Sequence, residues 1–373
     1  MSEPAPDVLV IGAGIIGAAC AWRLAAEGAR VTVLESDIAG GGATAAGMGH
    51  IVVMDDSEAE FALTRRSRQL WNDLAGELPA DCEYRRTGTI WVAADEEEAA
   101  IVARKHAWYA ERGVMTEILD ARALAWAEPN LWAGLAGGLL VPDDAVLYAP
   151  CAARWLLERA GAELRCGACV ERVESGAVAL RGGERLSCGA IVCANGCAAA
   201  QLFPDVAVRP RKGQLAITDR YPGFVNHQLV ELGYLKSAHG TASESVAFNA
   251  QPRPTGQVLL GSSRQFGVDT PEIEWPLMTR MIERAFEYMP ALRGLSVIRT
   301  WTGFRAATPD GLPLIGQYAA MPGVILATGH EGLGITTALA TAELVAGTIT
   351  GSAAAICGEP YSPSRFAAAH SYA

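Results

Sequence analysis

The sequence predicts an α/β protein with a Rossmann-like nucleotide-binding domain and a second domain built on a mostly antiparallel sheet. Three observations carry this expectation. The chain opens with an apolar strand, a glycine turn and a helix; similar glycine turns follow apolar runs in the middle and near the C-terminus; and 373 residues exceed the usual size of one hydrophobic core.

Residues 7–12 read Asp-Val-Leu-Val-Ile-Gly, a short β-branched run closed by glycine, as in a buried parallel strand. Gly12-Ala13-Gly14-Ile15-Ile16-Gly17 follows, then helix-compatible residues to a stop at Gly28, then a second strand over 30–34 that ends at Glu35 and Ser36. Each part has a use at a dinucleotide site. Gly12 allows a tight turn, Gly14 lets the backbone approach a pyrophosphate, and Gly17 lets the helix pack on the strand. The helix start offers free N–H groups to an anion. Glu35 can accept ribose hydroxyls and would repel a 2′-phosphate, which disfavours NADP.

A second run of small residues, Gly40 to Gly49 with Thr44, Ala45, Ala46, Gly47 and Met48, comes directly after this acidic residue. A nicotinamide nucleotide does not need it. A flavin does, because its ribityl chain and ring extend beyond the pyrophosphate and demand close backbone packing. Residues 189–197 form a third block, an apolar strand ending at Asn195 and Gly196. The fourth runs from Val324 through Gly329, His330, Glu331, Gly332, Leu333 and Gly334 into a helix that begins with Ile335 and Thr336.

Composition narrows the function classes. Hydrophobic residues at 50% against 19% charged give material for a large core and exclude a disordered chain. A net charge of −11 argues against nucleic acid as a partner. No apolar run reads as a spanning helix, and the start Met1-Ser2-Glu3-Pro4 is too acidic for a secretory signal. Nine scattered cysteines suit a reducing compartment. A cytoplasmic setting is expected, with a peripheral position at the inner membrane kept open. Cys166-x-x-Cys169 lacks companion ligands at metal spacing and reads as two small residues in a strand, so no metal site is expected.

The four glycine blocks, with Trp301-Thr302-Gly303-Phe304-Arg305 and Thr308-Pro309-Asp310-Gly311, give the chain a resemblance to the D-amino-acid oxidase superfamily, in the branch of glycine oxidase, sarcosine oxidase and D-amino-acid dehydrogenases. Met48 to Asp56 and His330 to Gly334 look most like bacterial D-hydroxyproline dehydrogenases. The resemblance covers nearly the whole chain. It implies a glutathione-reductase-like FAD domain assembled from 1–87, 149–212 and 303–373, and a substrate domain from 88–148 and 213–302. Strands are expected over 88–94, 213–219, 228–235, 244–250, 257–262 and 296–302, and helices over 95–112, 149–160 and 271–289. FAD would be held by the first glycine loop, Glu35, Ser36, Thr44, Ala45, Gly47, Met48, Val170, Asn195, Gly196, Gly303, Gly329 and the 332–336 turn. Relatives with a histidyl-flavin bond carry His where this chain has Thr44, and the cysteinyl position falls at Gly303, so FAD is expected to be non-covalent.

Catalysis is placed on Arg305, Tyr234, His330 and His50. A guanidinium fork binds a carboxylate at two points, and glycine oxidase has an Arg at the matching position. The alternative for Arg305 is a structural pair with Asp310. A second Arg of glycine oxidase is missing here, where Glu331 stands, and Tyr234 is the candidate second anchor. Glu231 and Lys236 are read as solvated. His50 and His330 flank turns expected near the flavin and would orient an amine or a ring hydroxyl. Gln257 to Gly261 holds no Lys of the kind that promotes oxygen reaction in sarcosine oxidase, which favours a quinone or a partner protein as electron acceptor. The expected reaction oxidises the Cα–N bond of a D-amino acid or cyclic imino acid, D-hydroxyproline first. A peroxide-forming oxidase and a subunit of an opine-oxidase or hydrogen-cyanide-synthase type complex are the alternatives, and a homo- or hetero-oligomer fits any of them.

Overall fold

The computed structural model describes residues 5–233 and 244–366. Tyr234 and Lys236 lie outside the described residues. The chain forms two compact units, one of Met1–Cys82, Tyr148–Pro210 and Phe304–Ala373, the other of Glu83–Leu147 and Arg211–Gly303.

The first unit opens with β1 (Val8–Ile11), α1 (Ile15–Ala26) and β2 (Val31–Glu35), then a short helical turn at Gly42–Ala46 and α2 (Glu58–Leu74). The chain next supplies β3 (Thr89–Ala93), α3 (Glu96–Glu111), β4 (Glu117–Asp120) and β5 (Gly137–Val141) to the second unit. It continues in the first with α4 (Ala149–Ala160), β6 (Glu163–Cys166) and β7 (Ala190–Cys193). β8 (Arg209–Thr218), β9 (Gln228–Glu231), β10 (Glu244–Pro252), β11 (Val258–Gln265), α5 (Trp275–Tyr288) and β12 (Val297–Ala307) follow. β13 (Leu314–Gln317), β14 (Val324–Thr328) and α6 (Gly334–Thr350) complete the first unit's main elements.

The sheet of the first unit has the order β13-β14-β7-β1-β2-β6. All of its pairings are parallel except that of β13 with β14. Val8–Ile11 is buried along its whole length because both faces are covered, as the apolar run requires. Leu9, Ile11, Ile191, Cys193, Val324 and Leu326 pack with Val173, Val178 and Phe203 on one side. On the other, α1 packs against α4 and α6, and α6 also packs on α2.

The second unit is an eight-stranded sheet ordered β12-β8-β11-β10-β9-β3-β5-β4. β3 and β9 run parallel, while β3–β5, β4–β5, β9–β10, β10–β11 and β8–β11 are antiparallel. Side chains alternate across it. Ile90, Val92, Leu229, Phe248, Ala250 and Leu260 face a core with Met278, Met281, Ala285 and Tyr288 of α5. Asp95 caps α3 by accepting the Glu98 N–H, and the acids at 96–98 suit the helix's positive end.

Four local expectations are corrected. The helix foreseen from Pro271 starts at Trp275, with Pro276 in its first turn, while the Pro271 carbonyl accepts a bond from Thr302 Oγ1. The strand foreseen to stop at 302 continues through Arg305 to Ala307, so Arg305 lies within a strand. Cys166 ends β6, and Gly167 at φ 75° turns the chain before Cys169, so the two cysteines flank a turn and do not share one strand. Glu231, read as solvated, is 2% exposed and accepts a 2.7 Å bond from Arg284 Nε. Its strand pairs in the sheet and its side chain alternates to the helical face, which single-residue polarity did not reveal.

Burial raises the Glu231 carboxyl, and Arg284 opposes that shift. Arg284→Ala is expected to lower stability by about 2–3 kcal/mol, the lower end for a buried pair because Arg284 is partly exposed. Urea unfolding at pH 7 measures it, and Glu231→Gln in the same chain should recover most of the loss.

Candidate functional site

The turn from β1 to α1 is held from both sides. Gly12 has φ 99°, and a Cβ there would stand 2.7 Å from the Ala194 carbonyl oxygen. A Cβ on Gly17 would stand 1.9 Å from the carbonyl oxygen of Gly12. The backbone therefore tolerates only glycine at these two points. The Ala13 N–H donates to Glu35 Oε2 at 2.8 Å, and the Ile15 N–H donates to Thr44 Oγ1 at 3.0 Å. Glu35 Oε1 accepts from the Asp37 N–H and from Ser36 Oγ. Glu35 thus fixes the loop, and its carboxylate keeps further lone pairs for a ligand hydroxyl. No side chain at Gly14 caps α1, so its first turn keeps anion-seeking N–H groups.

A second helix start lies in the same unit. α6 has no side-chain cap at Leu333. Gly329 at φ 81° passes so close to Thr308 that a Cβ would meet its Cγ2 at 2.5 Å. Gly332 at φ 92° lies beneath the Arg305 side chain: a Cβ there would be 3.4 Å from both Cδ and Nε. Glu331 has φ 32°, and its N–H donates to the Ala306 carbonyl. Thr336 Oγ1 donates to the His50 carbonyl and accepts from the Val52 N–H, and Trp71 Nε1 donates to the carbonyls of Ile335 and Thr336. Ile335 Cδ1 would stand 2.9 Å from a Cβ on Gly47. These bonds bring the 47–52 segment, the 329–336 turn and Arg305 together.

The two histidines differ. His330 is 7% exposed, its Nε2 is bonded to Thr341 Oγ1 at 3.0 Å, and burial pulls its pKa down to about 3. It is a neutral anchor between the turn and its helix. His50 is pulled down to about 4, first by burial and then by the Arg305 charge. Its Nδ1 is buried without a hydrogen-bond partner among the described residues. Asp310, the alternative partner of Arg305, is held by Arg365 at 2.7 Å.

The remaining candidates spread around the first unit. Met48 is buried and Ala45 exposed on either side of Gly47. Asn195 Oδ1 accepts from Cys193 Sγ, and Gly196, at φ 56°, has its carbonyl bonded by Thr328 Oγ1. Val170 opens a strand packed on the cluster around Leu9 and Leu34. Gly303 belongs to the second unit.

One group escaped sequence reading. Glu60 is pushed up to about 8, first by burial and then by Asp56, Asp55 and Glu331. Its signal was present as Ser57-x-x-Glu60, which reads simply as a helix cap, and Ser57 Oγ does accept the Glu60 N–H at 3.1 Å. What the pattern omitted was the approach of Glu331 from a distant turn.

The residues present fit a flavin dinucleotide. The glycine cradle leaves its backbone uncovered, two uncapped helix starts supply N–H groups, and the buried Nδ1 of His50 awaits a partner. The family model described as FAD dependent oxidoreductase matches residues 7–348. Glycine oxidase of Geobacillus kaustophilus is 28% identical over 96% of this chain and 97% of its own. A crystal structure of glycine oxidase from that organism superposes with a TM-score of 0.87 at 26% identity, covering 97% of this chain and 99% of the other. The hydrogen cyanide synthase subunit HcnC of Pseudomonas aeruginosa is 27% identical over 91% of both chains. The L-proline dehydrogenase structure from P. horikoshii shares the fold, at TM-score 0.88 and 24% identity, over 99% of each chain.

Gly12→Ala is expected to yield protein depleted in flavin, read as the ratio of absorbance near about 450 nm to that at about 280 nm, since the added carbon must displace backbone. Glu60 gives a pH signature. Its folded pKa is raised, so the folded state binds more protons between about pH 4.5 and 8, and stability falls as pH rises through that window. Glu60→Gln should flatten this decline, seen as urea midpoints at pH 6 and 9.

Proposed function

This chain belongs to the FAD dependent oxidoreductase family, and from that premise we propose that it oxidises the Cα–N bond of a D-amino acid or cyclic imino acid, with D-hydroxyproline the favoured substrate. The coarser activity, FAD-dependent amino-acid oxidoreduction, follows from the family and its relatives. Bound FAD would supply a hydride acceptor for this oxidation; a ring amine would give a protonated cyclic imine, which becomes a Δ1-pyrroline carboxylate on releasing its nitrogen proton to solvent.

The observation that carries the reading is Arg305 lying over Gly332, next to His50 and the start of α6. A guanidinium there binds the substrate carboxylate at two points and fixes the direction of the Cα–H bond. Burial, and after it the Arg305 charge, keeps the His50 ring uncharged, so His50 offers a neutral hydrogen-bonding group. His330 is proposed to hold the turn, not to carry a proton. The N–H groups of the α6 start favour negative charge nearby. Glu35, Thr44, Ser36 and the glycine loop would hold the nucleotide half of FAD without a covalent link, with Gly47, Met48, Asn195 and the 332–336 turn along its length. Tyr234 stays the proposed second anchor for the carboxylate.

The electron acceptor is proposed to be a quinone or partner protein. Two readings compete, each with its own support. The glycine oxidase relatives favour a peroxide-forming oxidase. The HcnC relative favours a chain that works as one subunit of a complex. No helix among the described residues is long and apolar enough to cross a membrane.

Anaerobic addition of hydroxy-D-proline isomers, D-proline, L-proline, glycine and sarcosine, followed at the flavin band, tests the reaction. Bleaching by hydroxy-D-prolines and slow recovery in air are expected; fast recovery would establish the oxidase, and bleaching by none would overturn the reading for the isolated chain. Arg305→Met should keep its flavin and raise the half-saturating substrate concentration about 100-fold, the loss of roughly 3 kcal/mol of charge-assisted hydrogen bonding.

A further inference from the structure

Two cysteines from distant parts of the sequence meet within the first unit. Cys82 closes the short helical turn Ala80–Cys82, and Cys151 lies in the first turn of α4. The Tyr148 N–H, at the cap of α4, donates to the Cys82 carbonyl at 2.6 Å, and α4 packs on the 80–82 turn. Helical side chains lean back towards the helix N-terminus, so the Cys151 side chain is directed towards that contact. Cys82 is fully buried and Cys151 is 8% exposed.

Arg154, three residues further along α4, donates from Nη2 to Cys151 Sγ at 3.0 Å, while its side chain reaches solvent. Cys82 feels the charge of both Arg154 and Cys151, so two sulfurs and one guanidinium share a small space. The two thiols differ in their surroundings. Cys82 is pushed up to about 12, first by burial and then by Asp81 and Cys151, so it stays a neutral thiol. The Cys151 sulfur has a cationic donor, which favours the negative charge that a sulfur carries as it attacks an electrophile.

We propose that Cys151 and Cys82 form a reversible redox modification site for hydrogen peroxide, with Cys151 the attacking sulfur, Arg154 its positioning residue and Cys82 the resolving thiol. The Cys151 sulfur gives its proton to solvent and attacks one peroxide oxygen. The O–O bond breaks, the leaving hydroxide takes up a proton as water, and Cys151 becomes a sulfenic acid. The Cys82 sulfur then attacks the Cys151 sulfur. The S–O bond breaks, the Cys82 proton leaves with that oxygen as a second water, and a disulfide forms. The sulfurs lose two electrons in all, and the peroxide gains them. Two molecules of an external thiol return the electrons and protons and leave as their own disulfide.

The pair borders the nucleotide-binding loop. A Cβ on Gly40 would stand 2.9 Å from the carbonyl oxygen of Pro150, next to Cys151, and the Gly40 N–H donates to the Ala13 carbonyl. A disulfide at the start of α4 therefore bears, through Pro150, on the loop that would hold the flavin nucleotide. The inference does not rest on the substrate proposed above.

The test treats the FAD-loaded protein with a small excess of hydrogen peroxide, quenches it with catalase and maps unreduced peptides by mass spectrometry. A Cys82–Cys151 bond is expected as the main cross-link, removed by dithiothreitol. In Cys82→Ser, dimedone should trap Cys151 at least about tenfold faster than the exposed Cys166 and Cys357. Arg154→Gln should slow the cross-link by about tenfold with flavin content unchanged, and Arg154→Lys should recover part of the rate. Flavin release, followed by fluorescence, should change at least about twofold on oxidation and return with reductant, and Cys151→Ser should show no such response. Absence of the 82–151 bond, a Cys166–Cys169 bond in its place, or Cys151 reacting no faster than the exposed cysteines would overturn the proposal. An unchanged rate in Arg154→Gln would remove the role of Arg154. A disulfide with unaltered flavin release would remove the link to the loop and sustain the modification site. Should Cys82→Ser not fold, the peptide map of the unsubstituted protein and Arg154→Gln decide the matter.

Discussion

Gly17 sits so close under the first strand-to-helix turn that the two backbones nearly touch, and the first unit is arranged around that approach. It lets α1 start directly behind β1. A helix in that place can pack on both α4 and α6, and it turns its uncapped end to the same side as the loop that Glu35 and Thr44 pin. Any side chain at Gly17 pushes the helix off, and the fixed positions of Ala13 and Ile15 go with it. The glycine is thus a spacing device before it is a binding device.

The electrostatics of the site divide in two. Around Arg305 the surroundings are cationic or neutral: a guanidinium, a helix start and a histidine that does not protonate near neutral pH. Around Glu60 they are acidic, and burial, with Asp56, Asp55 and Glu331 adding to it, lets Glu60 hold its proton up to about pH 8. Glu331 lies in the turn that also carries Gly332, so one short segment borders both regions.

Much of this was legible in the sequence, for identifiable reasons. The first strand, helix and strand came from local periodicity and glycine spacing, and β1, α1 and β2 stand where that pattern placed them. The helix over 149–160 was read to the residue because Pro150 and Gly161 punctuate it. Readings failed where the deciding neighbour was remote. Glu231 looked solvated because its partner, Arg284, is on a helix some fifty positions away. Glu60 drew no notice because its burial, and the approach of Glu331 from a distant turn, are set by the fold. Pro271 looked like a helix start because proline favours first turns, yet Pro276 fills that role.

The central strand of the first unit has an unusual wait. β1 pairs with β7, and β7 in turn with β14, so Val8 meets Ala190 and Ile191 meets Val324. During synthesis the amino-terminal strand leaves the ribosome with only β2 within reach, and its open edge stays exposed while the whole first passage of the second unit is made. Such long-range pairing folds slowly and presents an unpaired apolar edge in the meantime. A ribosome stalled before residue 324 would leave β7 without its outer neighbour and the first unit's sheet unfinished.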